Sequence, residues 1–480
     1  MQKIHPSIIQ GGMGIGVSNW RLAQTVSRLG ELGVVSGTCM NTVLIRRLQD
    51  GDADGSCRRA LAHFPAPGVA EELIKTYYVE GGKKADVPYK RSPVFAIKSS
   101  LGLLRLTVAA NFVEVFLAKE GHGGVVGLNL LEKIQLPNLP SIYGAMLAGV
   151  DYVLMGAGIP REMPGALDKL ALHEEASHRL AVDDAAAEDD NRILFDPKTV
   201  FPNLNLAPLK RPDFLAIVAS STLALSLAKK STGKVNGFII EHWTAGGHNA
   251  PPRGPMRFNE CGEPLYTERD IVDLSTFRDL GLPFWLAGSA ATPDKFVEAL
   301  SFGATGVQVG TAFAFCNESG LDSDLKNSVR QDIVQNQAPS VFTDPLASPS
   351  GFPFKVVQRA GTLSDEAVYQ ERPRKCDLGY LRTAYKNDKG GIGMRCPAEP
   401  IDDYLKKGGK IEDTKGRKCL CNGLFSVIGM PQSQESGYQE AAIMTAGDDV
   451  SNLRRLFKPG SNSYSAADVI HYLRLKIAQP

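Results

Sequence analysis

Length, composition and charge narrow the class of protein before any motif is considered. The chain has 480 residues, of which 43% are hydrophobic and 22% are charged, ordinary values for a globular enzyme. A barrel of about 250 residues would leave room for an additional domain. The 53 basic and 52 acidic residues give a formal net charge of +1, so the chain has no basic field that would hold nucleic acid.

The N-terminal segment and the spacing of apolar residues argue against export and membrane insertion. Residues 1–6 contain neither an apolar h-region nor a cleavage site of small residues, so we expect a cytoplasmic protein. The longest apolar segments are interrupted by Gly, Lys or Glu, so no membrane span is expected. The oligomeric state stays open, with a homodimer as one option.

A repeating order of elements runs to about residue 325: a short apolar segment, a glycine-rich turn and an amphipathic helix. After the first segment, Leu22, Val26 and Leu29 recur at helical spacing, and Ser18 or Asn19 can cap this helix. The pattern predicts eight strands, at residues 6–10, 33–36, 125–130, 152–155, 214–219, 237–241, 284–287 and 306–309. Further helices are predicted at residues 106–117, 142–147, 222–229 and 293–302.

Three stretches depart from this order. Residues 41–105 are predicted to be an insertion or a decorated helix layer. Residues 173–211 are a polar excursion with clustered acidic residues, which is typical of a solvated loop or hairpin. Residues 326–480 are predicted to be a mainly helical C-terminal extension or lid on the barrel mouth. Helices are expected in these stretches near residues 43–48, 71–78, 328–335, 365–370 and 466–475.

Alternating strands and helices predict an α/β protein with a parallel sheet. Eight such units that close on themselves form a (β/α)₈ TIM barrel, here assigned to residues 1–325, with its active site at the carboxyl ends of the strands. An open doubly wound sheet is the alternative. Glycine-rich turns follow the first, sixth, seventh and eighth strands rather than the first alone, and this distribution favours the barrel.

The glycine-rich turns are candidate ligand sites. Gly11 and Gly12 precede Met13 after the first strand, where a missing β-carbon would let the backbone approach a planar ligand. That turn is weak evidence by itself, because tight turns also need glycine. The turns after the seventh and eighth strands are stronger evidence, because barrels often bind phosphate there through backbone N–H groups. Thr311 could add a hydroxyl donor at the second of these turns.

The loop after the sixth strand carries the candidate catalytic residue. His248 follows Gly246 and Gly247 and precedes a Pro-Pro pair. Histidine is the side chain best suited to move a proton near neutral pH. A lone loop histidine is more often a surface residue, but the flanking glycines and prolines indicate a fixed loop and favour a functional role.

Together these motifs resemble those of a known family. Gly-Gly-Met, Ala-Gly-Gly-His, Ala-Gly-Ser and Gln-Val-Gly-Thr-Ala-Phe occur in this order after the first, sixth, seventh and eighth strands. The order resembles that of the nitronate monooxygenase (nitropropane dioxygenase) family, and the related FMN-dependent enoyl-acyl carrier protein reductases share the layout. The resemblance covers about residues 6–320.

The resemblance implies one FMN per chain and a small-molecule substrate. His248 matches the family's catalytic histidine, which acts on the substrate proton or orients the substrate over the flavin. The residues that would lie along or beside the flavin are Gly11, Gly12, Met13, Asn129, Gly246 and Gly247. The residues that would hold the ribityl phosphate are Gly288, Ser289, Gln308, Gly310 and Thr311.

Two departures from the family pattern leave the substrate open. Glu241, counted among the cofactor-binding residues, occupies a position where the family commonly has glutamine. A carboxylate there cannot donate a hydrogen bond when it is ionised. Residues 249–253 also differ from the shorter His-Arg-Gly ending of simpler members.

Four cysteines near the C-terminus form a separate group. They are Cys376, Cys396, Cys419 and Cys421. Four thiolates could bind zinc or an iron–sulfur cluster, but the Cys-x-Cys spacing is tighter than zinc sites usually have, so we expect free thiols and no metal. Basic neighbours could instead lower the thiol pKa values and make the thiols redox-active.

The leading hypothesis is an FMN-dependent oxidoreductase that oxidises a small, nitronate-like carbanion with O₂, while His248 handles the proton. The alternative within enzymes is NAD(P)H-dependent reduction of an activated C=C bond. No separate Rossmann-type glycine motif is evident, so NAD(P)H would bind transiently over the flavin. An alternative of another class is a non-catalytic flavin- or metal-binding scaffold that acts through its C-terminal region.

Overall fold

The computed structural model describes residues 4–186, 188–434 and 436–477, so the first three residues of the N-terminal segment lie outside it. In the described residues, eight parallel strands form one sheet in the order β1-β8-β7-β6-β5-β4-β3-β2. These strands are β1 (Ile8–Gln10), β2 (Gly33–Ser36), β3 (Val126–Leu131), β4 (Tyr152–Gly156), β5 (Asp213–Val218), β6 (Gly237–Glu241), β7 (Phe284–Ala287) and β8 (Gly306–Val309).

The two ends of this sheet join. The backbone N–H of Gln10 donates to the carbonyl of Leu32 at 3.0 Å, and the N–H of Leu32 donates to the carbonyl of Ile8 at 3.1 Å. The sheet is therefore a closed (β/α)₈ TIM barrel, as the sequence predicts. The bounds of each strand agree with the prediction to within two residues, because strands buried on both faces are short, nearly continuous apolar segments.

Apolar side chains fill the inside of the barrel, so it is a packed core rather than a pore. Trp285 of β7 is fully buried there, and its indole N–H donates to the carbonyl of Pro6 at 2.9 Å. This bond satisfies the single polar group of a large apolar side chain. The buried residues of this inner cluster are Ile9, Leu32, Val34, Tyr152, Leu154, Leu215, Ile239, Trp285 and Ala287.

Helices cover the outside of the barrel. They are α1 (Trp20–Arg28), α2 (Leu101–Lys119), α3 (Asn138–Leu147), α4 (Met163–Ala171), α5 (Ser221–Lys230), α6 (Ser275–Leu280) and α7 (Pro293–Ser301). The predicted helices are present, and α4 and α6 are additional. Asn19, not Ser18, caps α1 by accepting a hydrogen bond from the N–H of Leu22 at 2.9 Å.

Helix α2 is the longest helix of the barrel layer. Within the described residues it is the one helix that is long and apolar enough to cross a membrane, and 72% of its most apolar window is buried inside the protein. It packs against α1 and α3. Such burial is typical of a core helix of a globular protein.

Both predicted insertions have structure of their own. Between β2 and α2, the insertion contains helices Met40–Gln49, Ser56–Leu61 and Pro67–Tyr77. In the polar excursion, Ala176–Arg179 pairs antiparallel with Arg192–Phe195, so the hairpin alternative applies to this part. A short helix, Pro197–Val200, follows.

The residues after β8 cover the barrel mouth and contain both helices and strands. Their α-helices before residue 430 are Thr311–Ala314, Ser323–Val334, Glu366–Glu371, Ile401–Lys406 and Leu420–Val427. Two antiparallel strand pairs, which the sequence analysis did not predict, are Val341–Asp344 with Phe354–Val357 and Thr383–Lys386 with Ile392–Arg395. Short 3₁₀ helices lie at Glu268–Asp270, Ile411–Thr414, Val450–Leu456 and Arg474–Lys476.

The last helix of the chain, α8 (Ala466–Leu473), returns to the barrel wall. It packs against α1, α7 and the short helix after β8. Just before it, the buried Tyr464 donates from its hydroxyl to the carbonyl of Ala312 at 2.8 Å. The end of the chain therefore supplies the eighth helix of the outer layer.

Candidate active site

One cavity, here called the barrel-mouth cavity, lies at the carboxyl ends of the barrel strands. Its walls are the turns after β1, β3, β6, β7 and β8 together with residues from the C-terminal region. The structure brings all thirteen residues of the sequence-predicted site into this lining: Gly11, Gly12, Met13, Asn129, Glu241, Gly246, Gly247, His248, Gly288, Ser289, Gln308, Gly310 and Thr311.

The turn after β1 is held tightly to the barrel. A β-carbon on Gly12 would lie 2.1 Å from the β-carbon of Asn129, so only glycine fits between β1 and β3. Ser18 ties the turn together: its hydroxyl accepts from the N–H of Met13 at 2.8 Å and donates to the carbonyl of Gly11 at 2.9 Å. The glycine at position 12 therefore has a packing role whether or not a ligand lies beside it.

The turn after β7 has an unusual backbone. Gly288 and Ser289 have φ values of 99° and 48°, in the left-handed region that favours glycine. A β-carbon on Gly288 would lie 2.9 Å from the β-carbon of His242, which follows β6. Glycine at position 288 thus lets the loops after β6 and β7 pack together at the cavity wall.

The turn after β8 leaves room and an unpaired acceptor. The side-chain oxygen of Gln308 is buried and has no hydrogen-bond partner among the described residues. Buried polar atoms are rarely left unpaired in native proteins. A β-carbon on Gly310 would have Met13 Sδ as its one neighbour within 4 Å in the described part, at 3.8 Å. This turn therefore has the features of a cradle for a polar ligand.

Thr311 differs from its predicted role as a free hydroxyl donor. Its hydroxyl accepts from the backbone N–H of Gly447 at 2.8 Å and is also hydrogen-bonded to the Asp449 carboxyl. Burial raises the pKa of Asp449, and the bond to Thr311 partly opposes that change. The C-terminal region thus already occupies this hydroxyl, and it adds an acidic group beside the predicted phosphate site.

The C-terminal region also fixes the loop after β6. A β-carbon on Gly246 would lie 2.8 Å from the carbonyl carbon of Ala446. The N–H of Gly247 donates to the hydroxyl of Thr445 at 2.7 Å, and the carbonyl of Gly247 accepts from the N–H of Lys355 at 2.9 Å. Contacts with a distant part of the chain, more than the Pro-Pro pair, therefore hold this loop.

His248 lies in the cavity wall and has two defined neighbours, Ser348 and Phe354. Its Nε2 is 2.7 Å from the hydroxyl oxygen of Ser348, and its ring meets Phe354 edge-on at 4.8 Å. Burial lowers the pKa of His248 well below its usual range, and the positive charge of Lys133 lowers it further. The imidazole is therefore neutral at neutral pH.

Two charged residues accompany this histidine, and the sequence analysis missed one of them. Burial raises the pKa of Glu241 to about 7, partly opposed by Lys133. Burial lowers the pKa of Lys133 to about 7, partly opposed by Glu132 and Glu241. Lys133 lies two residues after the end of β3, so its place after a barrel strand could have identified it.

Hydrogen bonds connect Lys133 with His248. The ammonium of Lys133 donates to the hydroxyl of Ser350 at 3.1 Å. The hydroxyl oxygens of Ser350 and Ser348 are 2.7 Å apart, and Ser348 contacts His248. These four residues, His248, Ser348, Ser350 and Lys133, are here called the lysine–histidine chain. At its far end, the ammonium of Lys133 lies 3.5 Å from the centre of the Phe352 ring.

The C-terminal region adds apolar residues to the wall of the cavity. No motif in the sequence indicates these residues, because their positions depend on how distant segments fold over the barrel. They are Phe354, Tyr380, Leu381, Leu420, Leu424, Val427 and Met444. The cavity thus has a polar, glycine-lined side on the barrel and an apolar side above it.

The C-terminal cysteines do not have the lowered pKa values that redox-active thiols need. Burial raises the pKa of Cys419 to about 12 and raises those of Cys396 and Cys421 as well. The basic neighbours seen in the sequence do not overcome this desolvation. Burial therefore disfavours the thiolate form of these side chains, which a redox-active thiol needs.

Comparison with known proteins gives structural neighbours and no family assignment. No family model and no curated protein match the chain. FabK from Thermotoga maritima is 13% identical with a TM-score of 0.47, covering 98% of this chain and 91% of that one. Nitroalkane oxidase from Streptomyces ansochromogenes is 14% identical with a TM-score of 0.44, covering 98% and 95%. The enoyl reductase domain of MlnA from Bacillus amyloliquefaciens is 11% identical with a TM-score of 0.43, covering 97% and 94%.

Proposed function

We propose that the chain is an FMN-dependent oxidoreductase that acts on a small, carbanion-forming substrate in the barrel-mouth cavity. The observation that carries the proposal is the unpaired, buried oxygen of Gln308 beside the open space at Gly310. A ligand that donates a hydrogen bond at this position would satisfy that oxygen. The ribityl hydroxyls of FMN are donors of the required kind.

The residues present fit FMN along the whole polar side of the cavity. The turns at Gly288 and Gly310 would receive the phosphate, since backbone N–H groups at such turns favour anions. Asp449 lies beside this placement, and burial raises the pKa of its carboxyl, which weakens its preference for the charged form. Gly11, Gly12 and Asn129 would line the ring.

FMN, when bound, supplies the electron transfer, and the protein supplies position and proton handling. His248 is neutral at neutral pH, so its ring has one N–H donor and one acceptor. With Nε2 directed at Ser348, the other ring nitrogen can face the substrate and accept or return its proton. The protonated carboxyl of Glu241 can donate a hydrogen bond, which an ionised carboxylate cannot do.

The apolar side of the cavity would hold the substrate. Leu381, Leu420 and Leu424 form a surface that excludes water and suits a small apolar group. Oxidation of a nitronate-like carbanion by O₂ is our leading reaction. NAD(P)H-dependent reduction of an activated C=C bond would use the same surface and the same histidine, so an experiment must separate the two.

The test begins with the visible spectrum of the purified protein and with FMN titration of the flavin-free form. We expect flavin bands and one tight FMN per chain. Anaerobic mixing then separates the reactions: bleaching by an alkyl nitronate alone supports the monooxygenase, and bleaching by NADPH or NADH supports the reductase. A folded, colourless protein that takes up no FMN would contradict the proposal.

Replacing the histidine separates an enzyme from a non-catalytic flavin scaffold. His248→Ala should lower turnover by about 10²-fold or more while FMN stays bound. His471→Ala, at an exposed position near the end of α8, is the control. Full turnover in His248→Ala would remove the catalytic role of this residue, and FMN binding without turnover in the unmodified protein would favour the scaffold.

A further inference from the structure

The four C-terminal cysteines, far apart in the sequence, line one small cavity, here called the thiol cavity. Cys376 follows the helix Glu366–Glu371, Cys396 follows a strand, and Cys419 and Cys421 lie at the start of the helix Leu420–Val427. All four are free thiols. A fold that brings four unlinked thiols to one cavity in a chain of this length is an arrangement that packing alone does not require.

The rest of the wall suits a negatively charged, sulfur-rich group. Leu378 and Leu381 are apolar, and Lys375 and Arg382 contribute positive charge. The amide of Asn422 lies 3.7 Å from the sulfur of Cys419, within range of an N–H···S hydrogen bond. Such bonds and charges are the means by which proteins stabilise thiolate-bound metal centres.

A metal centre binds cysteine as the thiolate, so binding releases the thiol proton. Two of the four cysteines, Cys396 and Cys419, are buried, Cys421 is half-buried, and Cys376 lies at the exposed edge of the group. The thiol cavity therefore offers four sulfur ligands to a metal centre from one wall of the fold.

We propose that the thiol cavity binds an iron–sulfur cluster of the four-iron type, with Cys376, Cys396, Cys419 and Cys421 as its ligands. Soft thiolate sets select zinc or iron–sulfur clusters. In the described part of the chain, no group of three or more His, Cys, Asp or Glu residues is arranged for a single metal ion. A single zinc ion needs four sulfurs about 2.3 Å from one point, whereas a cluster spreads its thiolates over four irons.

The location of the thiol cavity gives the cluster a neighbour. Leu381, Leu420 and Cys421 line both the thiol cavity and the barrel-mouth cavity. A cluster held by Cys421 would therefore be separated from the barrel-mouth cavity by no more than one layer of side chains. The proposal itself does not depend on FMN, and iron and sulfide contents are measured independently of flavin.

The test uses the full chain, purified without oxygen and incubated with equal amounts of ferric and ferrous iron and with sulfide. We expect about four irons and about four acid-labile sulfides per chain, and an electron paramagnetic resonance signal of a reduced cluster after treatment with dithionite. One zinc per chain without labile sulfide would overturn the cluster. A folded protein that retains neither iron nor sulfide would overturn the metal site altogether.

Matched cysteine variants assign the ligands. Cys396→Ala and Cys421→Ala should each lose most of the iron and sulfide, whereas Cys261→Ala, at an exposed cysteine outside the thiol cavity, should retain both. Thermal unfolding and FMN content report whether each variant is folded. Full iron and sulfide in both cavity variants would overturn the assignment, and the unmodified protein still decides the question if these variants fail to fold. FMN uptake without a cluster contradicts this inference alone, and a cluster without FMN uptake contradicts the proposed function alone.

Discussion

At the scale of single residues, the barrel-mouth cavity concentrates groups whose charge is changed by burial. The pKa of Glu241 is raised to about 7 and that of His248 is lowered well below its usual range. Titratable residues with shifted pKa values in a cleft are typical of functional sites. Lys133, outside the lining of this cavity but linked to His248 through Ser350 and Ser348, also has a shifted pKa, lowered to about 7 by burial.

Replacing Glu241 should change how activity depends on pH. Because the pKa of Glu241 is raised to about 7, its carboxyl is protonated and donates below that pH, and it loses the proton as the pH rises. Turnover of the unmodified protein should therefore fall through about pH 7, whereas Glu241→Gln, a permanent donor, should lack this fall. The measurement is kcat against pH, with Glu298→Gln on α7 as the control. An unchanged midpoint in Glu241→Gln would assign the titration to Lys133 instead.

Removing one hydroxyl of the lysine–histidine chain should affect the orientation of the His248 ring, for which we propose a catalytic role. Ser348 is fully buried and contacts both His248 and Ser350 at 2.7 Å. A hydrogen bond of this kind contributes roughly 1 kcal/mol, so Ser348→Ala should lower kcat by about fivefold while FMN affinity and KM change little. Ser328→Ala, which removes a hydroxyl bonded to its own helix, is the control. A kcat equal to that of the control would separate Ser348 from catalysis.

The sequence identifies site residues where a motif exists and misses those that arise from long-range packing. All thirteen predicted residues line the cavity, because glycine-rich turns at strand ends can be found in the chain itself. Ser348, Ser350 and Thr445 were missed, since small hydroxyl residues in loops have no pattern that separates functional from ordinary positions. Only the fold brings them to His248 and Gly247.

At the scale of elements, the strands were predictable and several connections were not. Parallel strands buried on both faces consist of nearly continuous apolar residues, which explains the agreement at β1 to β8. The pair Thr383–Lys386 and Ile392–Arg395 is short and only partly buried, so its sequence resembles that of a loop. Strand pairs of this kind depend on their partners more than on local preference.

Two glycine substitutions should separate folding from FMN binding: one should lower stability, and the other should lower FMN affinity at unchanged stability. Gly12→Ala would bring a β-carbon to 2.1 Å from Asn129, and overpacking of this kind costs roughly 1–3 kcal/mol, so its unfolding midpoint should fall. Gly310→Ala points into open space, with Met13 Sδ at 3.8 Å, so it should unfold like the unmodified protein and bind FMN more weakly. Denaturant unfolding and FMN titration of both variants test this pair. Equal FMN affinity in Gly310→Ala and the unmodified protein would contradict the cradle at this turn.

At the scale of the whole molecule, the chain leaves the barrel after β8 and comes back to it. Helix α8 packs against α1 and α7, and its residues Val469, Ile470 and Leu473 are buried. The domain boundary that we predicted at residue 325 would place the whole barrel in the first part of the chain. The position of α8 means that the outer layer of the barrel also needs the last part.

A protein that ends at residue 325 should therefore fail to fold. It would lack α8 and expose the apolar surfaces of α1 and α7 that α8 covers, and large exposed apolar patches promote aggregation. We expect little soluble protein and loss of cooperative unfolding, measured by soluble yield and by circular dichroism during heating. A soluble fragment that unfolds cooperatively would indicate that the barrel is complete without α8.

Two separate stretches of the chain line the barrel-mouth cavity. The glycine turns of the predicted site lie before residue 312, and a separate stretch after residue 353 adds seven large apolar residues to the wall: Phe354, Tyr380, Leu381, Leu420, Leu424, Val427 and Met444. Within the later stretch, residues 445–449 support the turns that would receive FMN, whereas Leu381 and Leu424 contribute only apolar surface to the cavity. Substitutions at Leu381 or Leu424 should therefore change which substrates are accepted without changing the proposed FMN site.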